Sequence, residues 1–117
     1  DETFSESLRR IELAGVDVVL VMHSGIDVVA PALGALQDMW KGPCGAYPHA
    51  GRWRNYAEVP CWEFDLDFSP AVLADAGADW ITRGCQLVGG CCGSTPEHIA
   101  ALSEMVNRTS EPKYSQK

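Results

Sequence analysis

Leu87-Val88-Gly89-Gly90-Cys91-Cys92-Gly93-Ser94-Thr95-Pro96-Glu97-His98-Ile99 decides how the chain is read. Its first residues, together with Gln86, make a short apolar strand that Gly89 closes. Thr95-Pro96-Glu97 then opens a helix, with threonine at the N-cap and proline at the first helical position. The apolar face of that helix is predicted at Ile99, Leu102 and Val106. A strand, a glycine-rich turn bearing two thiols, and a helix in direct succession form one βα unit.

Upstream the same unit recurs. Ser69-Pro70 is a second N-cap and proline pair, and Val72, Leu73, Ala76 and Trp80 give the following helix an apolar face that ends at Gly84. Cys44-Gly45-Ala46-Tyr47 is a strand closed by Pro48. Before it, Ile26, Val29, Leu33, Leu36 and Trp40 fall on one helical face, and regular helix is expected to begin near Pro31. Val16 to Met22 is an almost continuous apolar, β-branched run, expected to be a strand buried on both faces. His23-Ser24-Gly25 breaks that run. Phe4, Leu8, Ile11 and Ala14 stand at helical spacing ahead of Gly15. His49 to Phe68 has no clean period and is expected to be a long, aromatic-rich functional loop.

The order is therefore α-β-α-β-α-β-α, an α/β chain whose parallel strands are joined through helices. Three strands cannot close a barrel that needs eight strands and about 250 residues. An isolated three-stranded sheet would leave two bare edges. The expectation is a piece of a larger α/β array, with the folded pattern over residues 1–107 and a polar, frayed tail over 108–117.

Composition narrows the partners. The 117 residues are 46% hydrophobic and 9% aromatic, enough for a packed core. Nine basic against sixteen acidic residues give a net charge of -7, the wrong sign for a nucleic-acid partner. No apolar run is long enough to span a bilayer, and no basic amphipathic stretch suggests a membrane surface. Five cysteines, an odd number, with no signal-peptide pattern at Asp1-Glu2-Thr3, imply a reducing, cytoplasmic setting over a disulfide framework.

In a parallel α/β array the groups that do chemistry collect at the C-terminal ends of the strands. His23 ends the first strand, His49 stands just past the second, and Cys91 and Cys92 follow the third. Zinc takes four tetrahedral N/S ligands in structural sites and three plus an open position in catalytic ones. The two thiols and two imidazoles at one rim are thus a candidate metal set. Cysteines are also buried for packing alone, and His49 by itself reads as a loop histidine, so packing and ligation both stand open here. A redox pair is disfavoured because no Cys-x-x-Cys spacing is present.

The Leu87–Ile99 stretch resembles the C-terminal signature of the homocysteine-binding domain family. That family includes betaine-, S-methylmethionine- and cobalamin-dependent homocysteine S-methyltransferases. Tyr47-Pro48-His49-Ala50-Gly51 is similar to the family's Tyr-Pro-Asn-Ser/Ala-Gly loop. His23 to Leu33, ending in Pro31-Ala32-Leu33, resembles the stretch following the family's Asn-Cys. The resemblance implies the last three βα units of a (β/α)8 TIM barrel and Zn2+ as cofactor. It implies Cys91 and Cys92 as metal ligands and puts His23 where the family has its third cysteine. His49 stands in place of the loop asparagine, as a substrate contact or fourth ligand, and Tyr47 and Gly90 are implied substrate-binding residues with it.

The implied reaction is methyl transfer from a sulfonium, ammonium or cobalt donor to the thiol of homocysteine, giving methionine. Exchange of a thiolate for neutral imidazole implies a more electrophilic zinc, which binds a substrate thiolate more tightly and leaves it less nucleophilic. The implied partners are homocysteine, a methyl donor, and the remaining barrel strands or a second copy. The competing expectation is a non-catalytic truncated relative or metal-binding module, favoured by the missing strands and by His23 and His49. Trp53, Tyr56 and Trp62 are expected either to wall the site and suit a methylated cation or to pack on its rim.

Overall fold

The computed structural model describes residues 2–56, 59–65 and 67–110. Helix α1 (Phe4–Leu13) leads to strand β1 (Val19–Gly25), helix α2 (Ile26–Met39) and strand β2 (Cys44–His49). A hairpin of β3 (Arg52–Tyr56) and β4 (Val59–Glu63) intervenes before α3 (Pro70–Thr82), β5 (Leu87–Val88) and α4 (Pro96–Ser110). The fold is α/β, with a parallel sheet in the order β1-β2-β5 and a separate antiparallel pair β3-β4.

Local chemistry accounts for most of these boundaries. Thr3 and Glu6 form a capping box on α1: the Glu6 carboxylate accepts from the Thr3 N–H at 2.7 Å, and the Thr3 hydroxyl accepts from the Glu6 N–H at 3.2 Å. The Thr3 N–H, and then the Thr3 hydroxyl, donate to the Glu6 carboxylate and hold its pKa below the ordinary range. Ser69 caps α3 by accepting from the Val72 N–H at 3.2 Å, with Pro70 in the first turn. Helix α2 differs from expectation. It starts at Ile26, not at Pro31, and carries the proline inside. Pro31 costs the helix one hydrogen bond, but Val29, Leu33 and Leu36 are fully buried. Each such side chain stabilises by about 1.5–3 kcal/mol, enough to hold the turn.

The core lies between the sheet and its helices. Val21, Cys44, Ala46, Leu73, Trp80, Leu102 and Met105 pack with the α2 residues. On α4 the buried positions are His98, Leu102 and Met105, whereas Ile99, expected inside, is 48% exposed. Val72 is likewise exposed on α3, where Leu73, Ala74, Gly77 and Trp80 are buried. The other expected positions, Leu73, Ala76, Trp80, Leu102 and Val106, are buried or pack on the core, and Gly77 lets Leu102 and Met105 of α4 approach α3 closely. Helix α4 continues through Ser110, past the boundary expected at 107, and 111–117 lie outside the described residues.

Strand β1 begins three residues later than the apolar run, and it is covered on one face only. Val19 and Val21 turn toward the helices, while Leu20 and Met22 are 38% and 50% exposed. Leu20, Gly45 and Leu87 stand in register across β1, β2 and β5, and Met22 pairs with Tyr47. The sheet thus presents an apolar face of Leu20, Met22, Tyr47 and Leu87 with no layer upon it among the described residues. At Gly45 a methyl group would overlap the Leu87 carbonyl, so β2 and β5 can meet only over glycine.

The stretch His49 to Phe68, expected as a loop, contains the β3-β4 hairpin. Trp53 opposes Trp62, and Asn55 opposes Pro60. Pro60 and the lack of an Asn-Gly or Asp-Gly turn hid it, since these are the signals a hairpin normally carries. No helix among the described residues is long and apolar enough to cross a membrane.

Candidate metal centre

Strands β1 and β2 and the turn after β5 deliver their ends to one rim. Beyond Met22, three steps along β1 match two along β2, so one extra residue bulges out. Opposite the bulge lies Pro48, which has no N–H to offer a neighbouring strand. His23 sits in this bulge with φ of +49°, the left-handed region that a β-branched or bulky side chain seldom adopts. A backbone held there costs about 1–3 kcal/mol and is found where the surroundings impose it, often at functional sites.

The cysteine turn is laced to the end of β2. The Gly89 N–H donates to Ala46 O at 3.0 Å, the Cys91 N–H to Pro48 O at 2.9 Å, and the Ala50 N–H to Cys92 O at 2.7 Å. Gly93 completes the turn at φ +82°, where a Cβ would meet the Ala50 carbonyl at 2.7 Å. Only glycine fits both constraints.

These two frames bring His23, Cys91 and Cys92 together. One ligand atom from each lies within 4.8 Å of the others, and the two sulfurs are 3.9 Å apart. Two thiolates at 2.3 Å on a tetrahedral zinc stand about 3.8 Å apart. The thiol pair already has that separation, and a ring nitrogen of His23 lies within 4.8 Å of both sulfurs. Two sulfurs and one nitrogen are a donor set that suits zinc, so the residues present fit the ion. Cys91 beside it holds the Cys92 thiol above its ordinary pKa, through their hydrogen bond and then through charge repulsion. A dication removes that repulsion, which is why ligand thiols ionise on binding metal.

His49 lies next to the trio and not in it. Its ring centroid is 5.0 Å from that of His23 and 4.7 Å from the Trp62 ring, which it meets edge-on. Burial, and then the neighbouring His23, lower its pKa below the ordinary imidazole value. Its Nδ1 is buried without a hydrogen-bond partner, as are Trp62 Nε1 and Ser94 Oγ. Three unpaired polar atoms around one cluster mark it out, because buried polar groups are nearly always paired.

Tyr47 sits a layer below, on the bare sheet face, donating to the Met22 sulfur at 3.1 Å. Gly90 lies against Ser94, where a side chain would collide with Ser94 Cβ at 2.6 Å. An open cleft of about 310 Å³ adjoins His49, lined also by Gly25, Asp27, Arg52, Asp65 and Phe68. Of the aromatic residues, Trp62 faces the cluster, stacked on His23 at 5.5 Å and 24°. Trp53 is 60% exposed, and the Tyr56 side chain lies outside the described residues.

Sequence reasoning passed over His98. It is buried, and its Nε2 bonds the Phe68 carbonyl at 2.6 Å while Nδ1 accepts from the Thr95 N–H at 3.1 Å. Those roles fix the proton on Nε2. The Thr95-x-x-His98 spacing at a helix start was the available signal.

The remaining cysteines stand apart. Cys44 and Cys85 form a buried pair with sulfurs 3.9 Å apart, and all five thiols are free. Burial, and then Cys44, push the Cys85 thiol up to about 12.

The family model described as homocysteine S-methyltransferase matches residues 1–106. The chain is 33% identical over 110 residues to a methionine synthase of Mycobacterium leprae (strain TN), covering 90% of this chain. It spans only 8% of that relative's length.

Proposed function

The chain belongs to the homocysteine S-methyltransferase family, and on that premise we propose that it supplies the metal-bearing part of a site transferring a methyl group to homocysteine, giving methionine. The observation that carries this reading is the convergence of His23, Cys91 and Cys92 within 4.8 Å at the C-terminal rim of a parallel sheet. These three residues would hold zinc, which when bound supplies a Lewis-acidic position for a thiolate sulfur.

The chain's own residues do the positioning. The bonds from Cys91 and Ala50 across to Pro48 and Cys92 fix the thiol pair against β2, and the β1 bulge aims His23 at it. His49, whose pKa is lowered by burial and whose Nδ1 is unpaired, would accept a hydrogen bond from a substrate ammonium. The adjoining cleft offers Asp27 and Asp65 for an ammonium and Arg52 for a carboxylate, the two charges of an amino-acid thiol. Tyr47, at the end of β2, and Gly90, in the cysteine turn, would contact the substrate from outside that cleft. The methyl donor is expected to come to this rim from the open side.

The bare face of Leu20, Met22, Tyr47 and Leu87 supports the reading that β1, β2 and β5 are the last three strands of a (β/α)8 barrel. In such a barrel the inward side chains of other strands fill that space. Residues 1–107 would then be the closing part of the barrel domain, completed by further strands or by another copy. Thiols that must stay free to bind metal fit a reducing, cytoplasmic setting.

A second reading, a metal-binding module without transferase activity, is favoured by His49, whose buried Nδ1 lies beside His23. Cobalt(II) in place of zinc separates the two. Titration with homocysteine should add intensity to the sulfur-to-cobalt charge-transfer band, while homoserine should leave it unchanged. If neither compound alters the spectrum, the transferase reading fails and the module reading stands.

A further inference from the structure

The β3-β4 hairpin has no part in the sheet, yet it reaches back to the metal-site residues through one side chain. Trp62 lies in β4, paired across the hairpin with Trp53, their rings 6.5 Å apart. Its indole stacks on the His23 imidazole at 5.5 Å with planes 24° apart, and His49 meets the same indole edge-on at 4.7 Å. His23 therefore has Trp62 and His49 against its ring, and its ligand nitrogen within 4.8 Å of the Cys91 and Cys92 sulfurs.

His23 needs such support. It stands in a bulge, at a left-handed backbone angle, and its side chain is exposed with no hydrogen bond among those of the described residues that fixes the ring. A ligating histidine is normally oriented by a hydrogen bond from its second ring nitrogen. Here a flat ring does what that bond usually does. The indole N–H has no hydrogen-bond partner of its own, so the plane of the ring, and not its polar atom, is the feature in use.

We propose that Trp62 is the positioning residue for the His23 ligand, holding the imidazole toward Cys91 and Cys92 and so setting the affinity of the metal site. The inference rests on the metal reading given above and adds the element that preorganises it. It also gives the hairpin a function: its pairing carries Trp62 to the rim, and Gly51 lets the indole close down. A Cβ at Gly51 would lie 2.7 Å from Trp62 Nε1.

The test is a double-mutant cycle on zinc affinity, measured by competition with a chromophoric chelator. Trp62→Leu keeps apolar bulk without the flat ring, and should weaken binding roughly 10–100-fold, the usual effect of removing a residue that orients a ligand. Trp62→Phe keeps a ring and should recover most of that loss. In a His23→Ala background Trp62→Leu should change affinity less than about twofold, since the residue acts through His23. Far-UV circular dichroism of the metal-free variants shows whether the fold is kept.

In the cobalt(II) form, Trp62→Leu should also shift the d–d bands toward those of His23→Ala, a change that mere loosening of the hairpin would not give. Equal losses with and without His23, no loss at all, or a Trp62→Phe as weak as Trp62→Leu would each overturn the proposal while leaving the metal site standing. A wild-type protein that binds no zinc would instead remove the metal reading and this inference with it.

Discussion

Replacing His98 with alanine should cost about 2–4 kcal/mol of stability, more than its place in a helix suggests. The residue is 6% exposed and ties the start of α4 to the segment before α3. Its Nε2–H donates to the Phe68 carbonyl at 2.6 Å, and its Nδ1 accepts from the Thr95 N–H at 3.1 Å. The ring also stacks on Phe68, centroids 5.0 Å apart and planes at 21°. Alanine leaves the Phe68 carbonyl, on a residue only 7% exposed, without this donor, a penalty of about 1–3 kcal/mol. Thr95 is exposed, so its N–H can turn to water at little cost. Loss of the ring's packing adds about 1 kcal/mol.

Against a total of roughly 5–15 kcal/mol, that is a large fraction. Urea denaturation followed by circular dichroism should show the midpoint falling by about 1–2 M, given slopes of about 1–3 kcal/mol per molar. Glutamine can place an amide N–H near the position of Nε2, so His98→Gln should keep about half of the lost stability. A cost below about 0.5 kcal/mol for His98→Ala, or a His98→Gln as damaging as alanine, would refute the reasoning. The first result would mean the carbonyl finds water; the second, that the Phe68 bond is not the main term.

Other outcomes follow from the same geometry. Gly93→Ala should lower stability by at least about 1–2 kcal/mol for the left-handed angle alone, and should weaken zinc binding because the Ala50 carbonyl blocks the new Cβ; chelator competition on the variant checks it. Gly45→Ala should be worse, since the methyl would push β5 from β2, and soluble yield with thermal melting measures the loss. Iodoacetamide at pH 8 on metal-free protein should label Cys91 and Cys92 well before Cys85, whose thiol stays protonated up to about 12; mass mapping of the adducts decides. Because that folded pKa lies above the unfolded one, near 9.0, the unfolded chain sheds the proton first. The contribution is full below about pH 9 and is lost as pH rises toward about 12. Cys85→Ala should flatten the fall in melting temperature across that window.

Much of the fold was legible, for identifiable reasons. The N-cap and proline pairs at Ser69-Pro70 and Thr95-Pro96 placed two helices within a residue, because capping is a local interaction. The three parallel strands were visible as apolar runs between helices. The exposure of Ile99 and Val72 was not. Gly77 admits Leu102 and Met105, a contact between helices far apart in sequence. The hairpin was hidden because Pro60 argues against a strand and no Asn-Gly or Asp-Gly pair marks a turn, so its pairing is visible only in three dimensions.

The candidate site was readable from its strand ends. Parallel strands deliver their C-terminal ends to one rim, which places His23, His49, Cys91 and Cys92 together, and the ligand atoms of His23, Cys91 and Cys92 converge there. His49 was placed at the rim, but its burial beside Trp62 depends on the hairpin. The support of His23 by an indole 39 residues away has no sequence pattern to announce it.

The account turns on whether His23, Cys91 and Cys92 bind one metal ion together, and elemental analysis of the purified protein asks this most directly. Wild type should carry close to one zinc per chain after dialysis, and both His23→Ala and the Cys91→Ser/Cys92→Ser double variant should lose it. Wild-type protein free of zinc after exposure to the ion, or full zinc content in either variant, would contradict the account.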